Sequence, residues 1–191
     1  MIKIPTLFQR DETQRGHPVV DRVTPGCEWV LIGEGLPTIK LDGQNVKIER
    51  GQFYKRQKPA SGDYDEASYI RCLWDAPDDR YLWEAFDALP LALAQDGIYE
   101  AVGPKIQGNP SRYATHTLVR VYPPLAGLKL YEDVRRTFDG LRDYLSAHTY
   151  EGLVFHHPDG RLCKIKRRDY GLPWPPKIDV LPHLQSSDSA S

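Results

Sequence analysis

The sequence predicts an α+β fold, antiparallel sheets with a few helices packed on them. Three observations carry that class. Sixteen prolines and fifteen glycines divide the 191 residues into short pieces, most pieces alternate in the two-residue manner of strands, and two segments instead place apolar residues at helical spacing. Hydrophobic residues at 40% and charged residues at 27% sit near globular averages, which excludes a disordered or fibrous chain. The length suits one domain with a sizeable core, and no internal repeat is visible.

The first element with chemistry in it is a hairpin over Ile39–Arg56 (IKLDGQNVKIERGQFYKR), with Arg50-Gly51 as its two-residue turn. Symmetric pairing sets Asn45 opposite Arg56 and Lys47 opposite Tyr54, and it turns Val46, Ile48 and Phe53 to the core. Within Lys40-Leu41-Asp42-Gly43 the glycine permits a sharp turn and leaves Lys40 at a strand end. A helix follows over Asp78–Leu89, behind Pro77 and closed by Pro90, with Leu82, Phe86 and Leu89 on one stripe. Tyr99-Glu100 reads as a strand ending in an acid before the turns Val102-Gly103-Pro104-Lys105 and Gly108-Asn109-Pro110. A second helix is predicted over Tyr131–Ala147 from Val134, Phe138, Leu141 and Leu145. Both stripes are core-facing surfaces with no chemical role.

Glu151–Lys166 (EGLVFHHPDGRLCKIK) is a second hairpin, its turn being His157-Pro158-Asp159-Gly160. If His157 and Gly160 flank the turn symmetrically, Leu153 faces Lys164 and Glu151 faces Lys166, and all four share a face. Three charges then occupy one patch. Taken alone, the patch reads equally as a solvated ion pair worth under about 1 kcal/mol. His156 and His157 abut the turn and are expected to be exposed, with no metal assigned to them. Leu172–Pro176 (LPWPP) reads as an ordered strap and Gln185–Ser191 as a disordered tail.

Lys and Arg number 25 against 26 Asp and Glu, so any affinity for nucleic acid must come from a local patch. Lys55, Arg56 and Lys58 with Arg167 and Arg168 are the candidates. Cys27, Cys72 and Cys163 are odd in number and far apart, which fits reduced thiols in the cytoplasm better than a disulfide framework or a zinc knuckle. The opening MIKIPTLFQRDE lacks a signal peptide's apolar region, and no run reaches the ~20 apolar residues that span a bilayer, so no membrane partner is expected.

In order and spacing these blocks resemble the motifs of the covalent nucleotidyltransferase superfamily, and within it the ATP-dependent RNA ligases of the short single-domain 5′-to-3′ type. Lys40-Leu41-Asp42-Gly43 looks like motif I, Lys55-Arg56 like motif Ia, Tyr99-Glu100 like motif III, Glu151-Gly152-Leu153-Val154-Phe155 like motif IV and Lys164-Ile165-Lys166 like motif V. The resemblance runs from about Pro37 to Trp174, and it implies an ATP-grasp-like adenylation domain over residues 1–176 with a C-terminal extension at 177–191. The downstream motif that capping enzymes and DNA ligases carry on an OB-fold domain has no room here. Motif IIIa, whose ring stacks on the base, falls within Thr115–Tyr122, where His116 and Tyr122 are both candidates.

The resemblance further implies that Lys40 attacks the α-phosphate of ATP to give a lysyl-AMP. Lys164 and Lys166 then hold phosphate oxygens, Glu151 ligates Mg²⁺ (with Mn²⁺ as a substitute), Glu100 receives the ribose 2′-hydroxyl, and Asn45 and Arg56 contact ribose or phosphate. Attack requires a neutral amine, and burial beside cations is what lowers a lysine from ~10.4. The substrates implied are ATP and RNA ends. A GTP-using capping-type enzyme, a DNA ligase, or a nucleotide- or RNA-binding module without turnover would share the scaffold.

Overall fold

The computed structural model describes residues 4–57, 69–130 and 133–175. The stripe residues Tyr131 and Glu132, the patch residue Lys58, the last strap residue Pro176 and the tail at Gln185–Ser191 lie outside the described residues. In chain order the elements are β1 (Phe8–Arg10), β2 (Val19–Val23), α1 (Glu28–Leu31), β3 (Leu36–Lys40), β4 (Gln44–Glu49), β5 (Gln52–Arg56), β6 (Tyr69–Arg71), α2 (Arg80–Asp87), β7 (Gly97–Val102), β8 (Thr117–Tyr122), α3 (Phe138–Ala147), β9 (Gly152–His156) and β10 (Leu162–Lys166). Antiparallel sheets with few helices are what the alternation and the turn density call for. The described residues divide into two compact units, one within Asp42–Ala126 and the other of Ile4–Leu41 with those from Gly127 onward.

In the second of these units β10, β9 and β3 form a three-stranded antiparallel sheet in that order. Leu153 and Phe155 of β9, Cys163 and Ile165 of β10 and Ile39 of β3 are buried, so one face is core. Leu141 and Leu145 of α3, with Phe8 and Trp29, complete the cluster. Each such side chain contributes roughly 1.5–3 kcal/mol by leaving water. The second predicted helix is shorter than its stripe. It starts at Phe138, because the Thr137 backbone is extended (φ −113°, ψ 166°) and its hydroxyl accepts the Gly140 N–H at 3.1 Å as an N-cap. Arg136 meanwhile donates to the Glu34 and Gly35 carbonyls, which fixes the chain ahead of the cap outside a helix. Val134 is still buried, so the stripe reported burial correctly and conformation incorrectly.

The Glu151–Lys166 hairpin also differs from its prediction by one residue of register. Lys164 pairs with Val154 and Lys166 with Gly152, not with Leu153 and Glu151. Gly160 N–H donates to His157 O at 3.0 Å, as a type I turn requires, but Gly160 then adopts φ 93° and His157 N–H bonds Arg161 O. The loop is therefore a type I turn plus a left-handed glycine, which adds the residue that shifts the ladder. Leu153 consequently faces the core.

In the other unit β6-β5-β4-β7-β8 form a five-stranded antiparallel sheet. Lys47 pairs with Tyr54, the predicted register, across a turn whose Arg50 and Gly51 take φ 51° and 71°. Val46, Ile48, Phe53, Tyr99, Ala101 and Leu118 build its core. The first predicted helix is present as a 3₁₀ turn at Pro77–Asp79 leading into α2, with Leu82 buried and Phe86 and Leu89 packed on the cluster. Among the described residues no helix is long and apolar enough to cross a membrane.

Candidate active site

The polar face of the three-stranded sheet collects charge because alternate residues share a side. Lys40 ends β3 opposite Gly152, and Lys166 pairs with that same Gly152 from the other side. Only glycine fits there, since a Cβ would lie 2.2 Å from Ile165 O and 2.8 Å from the Lys166 Cα. Glu151, immediately before β9 and 7% exposed, sends its carboxylate between the lysines. Lys40 Nζ donates to one of its oxygens and, at 3.2 Å, to the Leu41 carbonyl, while Lys166 Nζ stands 3.9 Å from the other oxygen. Lys164 lies two residues along the same face. Burial, and then the charges of Lys40 and Lys166, pull its ammonium down to about 8.

Two supports for this cluster carried no signal in the motif reading. Asp169, 1% exposed, accepts the Lys166 N–H at 2.8 Å and pairs with the Arg10 guanidinium. Its spacing from Lys166, an acid three residues past a strand end, is the capping pattern that could have revealed it. Residues ahead of β1 cover the outer edge of β10, with Leu7 N–H on Lys164 O at 2.7 Å and Lys164 N–H on Pro5 O at 3.0 Å.

The histidines are not exposed as expected. His156 Nε2 lies 3.0 Å from the Thr38 hydroxyl, and burial, with Lys129 adding, pushes its imidazole down to about 4. His157 sits 5.1 Å from the Trp29 ring, with Glu34 at 2.9 Å and Asp159 at 2.7 Å. His156 is thus covered from β3, and His157 from the residues around α1. Arg167 also leaves the proposed basic patch. It is 5% exposed, and its guanidinium donates to the carbonyls of Leu145, His148 and Pro173, so it ties α3 to the strap.

In the Asp42–Ala126 unit, β4 pairs with β7 so that Asn45 opposes Glu100. Glu100 accepts the Gly43 N–H at 3.1 Å and the Asn45 amide at 3.3 Å, and the Tyr69 hydroxyl donates to the Asn45 carbonyl oxygen. Gly43 is required by space, since a Cβ would come within 2.2 Å of Ala101 O. The Arg56 backbone carbonyl receives the Gln44 amide at 2.8 Å. Of the two ring candidates, His116 is held between α2 and its own loop: Nδ1 pairs with Glu84 at 2.8 Å, Nε2 accepts the Lys105 N–H at 3.2 Å, and the ring packs 5.0 Å from Tyr81. Tyr122 ends β8 and is 39% exposed.

One unit thus brings together Lys40, Glu151, Lys164 and Lys166, and the other brings together Asn45 and Glu100. The first set is a cluster of three lysines around one carboxylate, and the second a hydrogen-bonded amide–carboxylate pair. Among the described residues no three His, Cys, Asp or Glu side chains converge as a metal site. A cation held at Glu151 would therefore take its remaining ligands from outside the protein, as an ion that keeps its waters does.

No protein-family model matches the chain. It is 33% identical over 176 residues, 86% of its own length and 46% of the relative's, to RNA ligase 1 of Rattus norvegicus. It is 32% identical over 111 residues, 52% of its own length and 31% of the relative's, to RNA ligase 1 of Pongo abelii. The chain spans less than half the length of the curated relatives it matches. The chain is thus similar to part of each of these two RNA ligases.

Proposed function

We propose that the chain is an ATP-dependent RNA ligase working through a lysyl-AMP. The observation that carries this reading is the approach of Lys40 and Lys166 to Glu151, with Lys164 two residues along the same face of β10. Lys40 Nζ, having lost a proton to solvent, attacks the α-phosphorus of ATP; the N–P bond forms as the bond to the bridging oxygen breaks and pyrophosphate leaves. Lys164 and Lys166 hold the α-phosphate oxygens where charge builds up, the task for which buried cations serve best. Mg²⁺ or Mn²⁺ would be held by Glu151 and would supply Lewis-acid neutralisation of the phosphates. Glu100, Asn45 and Arg56 take the ribose and phosphate contacts that the motif resemblance gives them. An RNA 5′-phosphate oxygen then attacks the AMP phosphorus and frees Lys40. Attack by a 3′-hydroxyl on the resulting activated phosphate expels AMP and seals the strand. The buried, disulfide-free state of Cys27, Cys72 and Cys163 accords with action in the cytoplasm.

The test is incubation with α-labelled ATP or GTP and Mg²⁺, followed by a chase with 5′-phosphorylated RNA or DNA. The expected result is label on the protein from ATP alone, absent in Lys40→Ala, and discharged by RNA. Label from GTP alone, discharge by DNA alone, or nucleotide binding without an adduct each overturns it.

A further inference from the structure

A short segment after the last 3₁₀ turn of the chain's middle extends the charged face of the three-stranded sheet. Lys129 pairs with Thr38 of β3 in an antiparallel bridge, and the Leu130 N–H donates to the Pro37 carbonyl at 2.9 Å. Alternation then decides the faces. Leu128 is 1% exposed and Leu130 packs on the core cluster, so Lys129 between them turns to the side of Thr38. Thr38 pairs with Val154, and Val154 with Lys164, so one row runs across the sheet as Lys164, Val154, Thr38 and Lys129. Strands lie ~4.8 Å apart, which separates the two ends of the row by ~14 Å at the backbone, a gap that two lysine side chains narrow from either side. Lys40, two residues past Thr38 on β3, is the diagonal neighbour of Lys129, at ~7–8 Å between Cβ atoms.

The ends of that row carry charge that the fold does not offset. Among the described residues, the half-buried lysines Lys40, Lys47, Lys55 and Lys166 form ion pairs with Glu151, Glu49, Asp79 and again Glu151. Lys129 and Lys164 are also half-buried, and neither forms an ion pair with a described carboxylate. Val154 and Thr38 between them bear no charge. The imidazole beside Lys129 is that of His156, on the same face, and burial, with the charge of Lys129 adding, keeps it neutral at pH 7. A partly desolvated ammonium without an anion is costly to keep, and a phosphate oxygen is the partner that repays it best. Lys164 already has a ligand in the α-phosphate of the proposed reaction, and Lys129 has none.

We propose that Lys129 binds the phosphate joined to the α-phosphorus on the side away from Lys40. The inference rests on the RNA-ligase reading for the place of that α-phosphorus. Displacement at phosphorus brings the entering group in across from the leaving one, so two substrates present a phosphate there in turn. Pyrophosphate departs from that place when Lys40 takes AMP, and the RNA 5′-phosphate arrives there when Lys40 gives it up. The anion chemistry is shared, and the experiment separates the two sources.

The variants are Lys129→Met, which keeps the stem and loses the charge, Lys129→Arg, which keeps the charge, and Lys129→Glu. The measurements are calorimetric binding of inorganic pyrophosphate, the KM for ATP in adduct formation, and the KM for 5′-phosphorylated RNA in discharge of the preformed adduct. Lys129→Met should weaken pyrophosphate binding about tenfold and Lys129→Glu more, while Lys129→Arg stays within about threefold of the parent. A rise of about tenfold in the KM for ATP at unchanged kcat assigns Lys129 to the leaving pyrophosphate, and the same rise in the KM for RNA assigns it to the entering 5′-phosphate. Unchanged pyrophosphate affinity and unchanged KM values in Lys129→Met and Lys129→Glu overturn the proposal. So does a loss that Lys129→Arg fails to restore and that comes with a lowered melting temperature, the mark of a packing role. If the parent forms no adduct yet binds pyrophosphate through Lys129, the ligase reading fails and the anion site stands.

Discussion

The two sheets treat their carboxylates in opposite ways. In the three-stranded sheet Glu151 lies among ammonium groups, in contact with Lys40 and 3.9 Å from Lys166, and that face is governed by charge. In the five-stranded sheet Glu100 accepts a backbone N–H and an amide at 3.1 and 3.3 Å. Charge acts over distance and suits a phosphorus centre whose geometry changes during reaction. Directed bonds suit a hydroxyl in a fixed place. Substitutions in the two faces should therefore fail differently.

The largest effect is expected at Lys40. Lys40→Ala should lower AMP-adduct formation at least about a thousandfold, measured by label transfer from ATP, with the circular dichroism spectrum unchanged. Adduct at the parent level would remove the charged face from the chemistry. Next, Asp169→Asn should cost about 2–3 kcal/mol in urea unfolding, since a buried carboxylate loses its charge to Arg10, a partner that is one-third exposed and so discounted. A change below about 0.5 kcal/mol would mean that the cluster stands without this support.

On the hydrogen-bonded face Glu100→Gln should raise the KM for ATP about tenfold with little change in kcat, the loss of about 1.5 kcal/mol from a charge-assisted bond. A fall in kcat of the size expected at Lys40 would erase the contrast between the faces. The smallest effect is on stability against pH. Lys164 gives up its proton at about 8 in the fold but keeps it to ~10.4 when unfolded, so the unfolded chain binds the extra proton between those values. Through this group stability rises as pH climbs from about 8 towards 10, and Lys164→Met should flatten the rise in thermal scans.

The difference between the sheets also explains how much could be read in advance. The Lys47–Tyr54 register was legible because Arg50-Gly51 admits one two-residue turn and apolar alternation then fixes the faces, whereas Ile39 and Lys40, read into the same hairpin, belong to β3 of the other sheet. The Glu151–Lys166 hairpin was legible as a hairpin but not in register, because Pro158-Asp159-Gly160 serves a two-residue or a three-residue loop alike. The gathering of lysines survived the slip, since Glu151 reaches them from the loop before β9 and not from a ladder position. Arg167 was misread because sequence gives a cation's identity and not its neighbours: three main-chain carbonyls at the end of α3 and in the strap take it out of water. The role of Asp169 depends on Arg10, 159 residues away, a distance no local pattern spans.

The pairing of Pro5 and Leu7 with Lys164 has a consequence beyond geometry. A strand at a sheet margin ordinarily offers bare amides to any extended polypeptide that drifts past, the usual start of aggregation. Here that margin is already occupied around Lys164, so the strand bearing two of the three lysines has less backbone on offer to other chains. Its side chains stay available to dissolved anions.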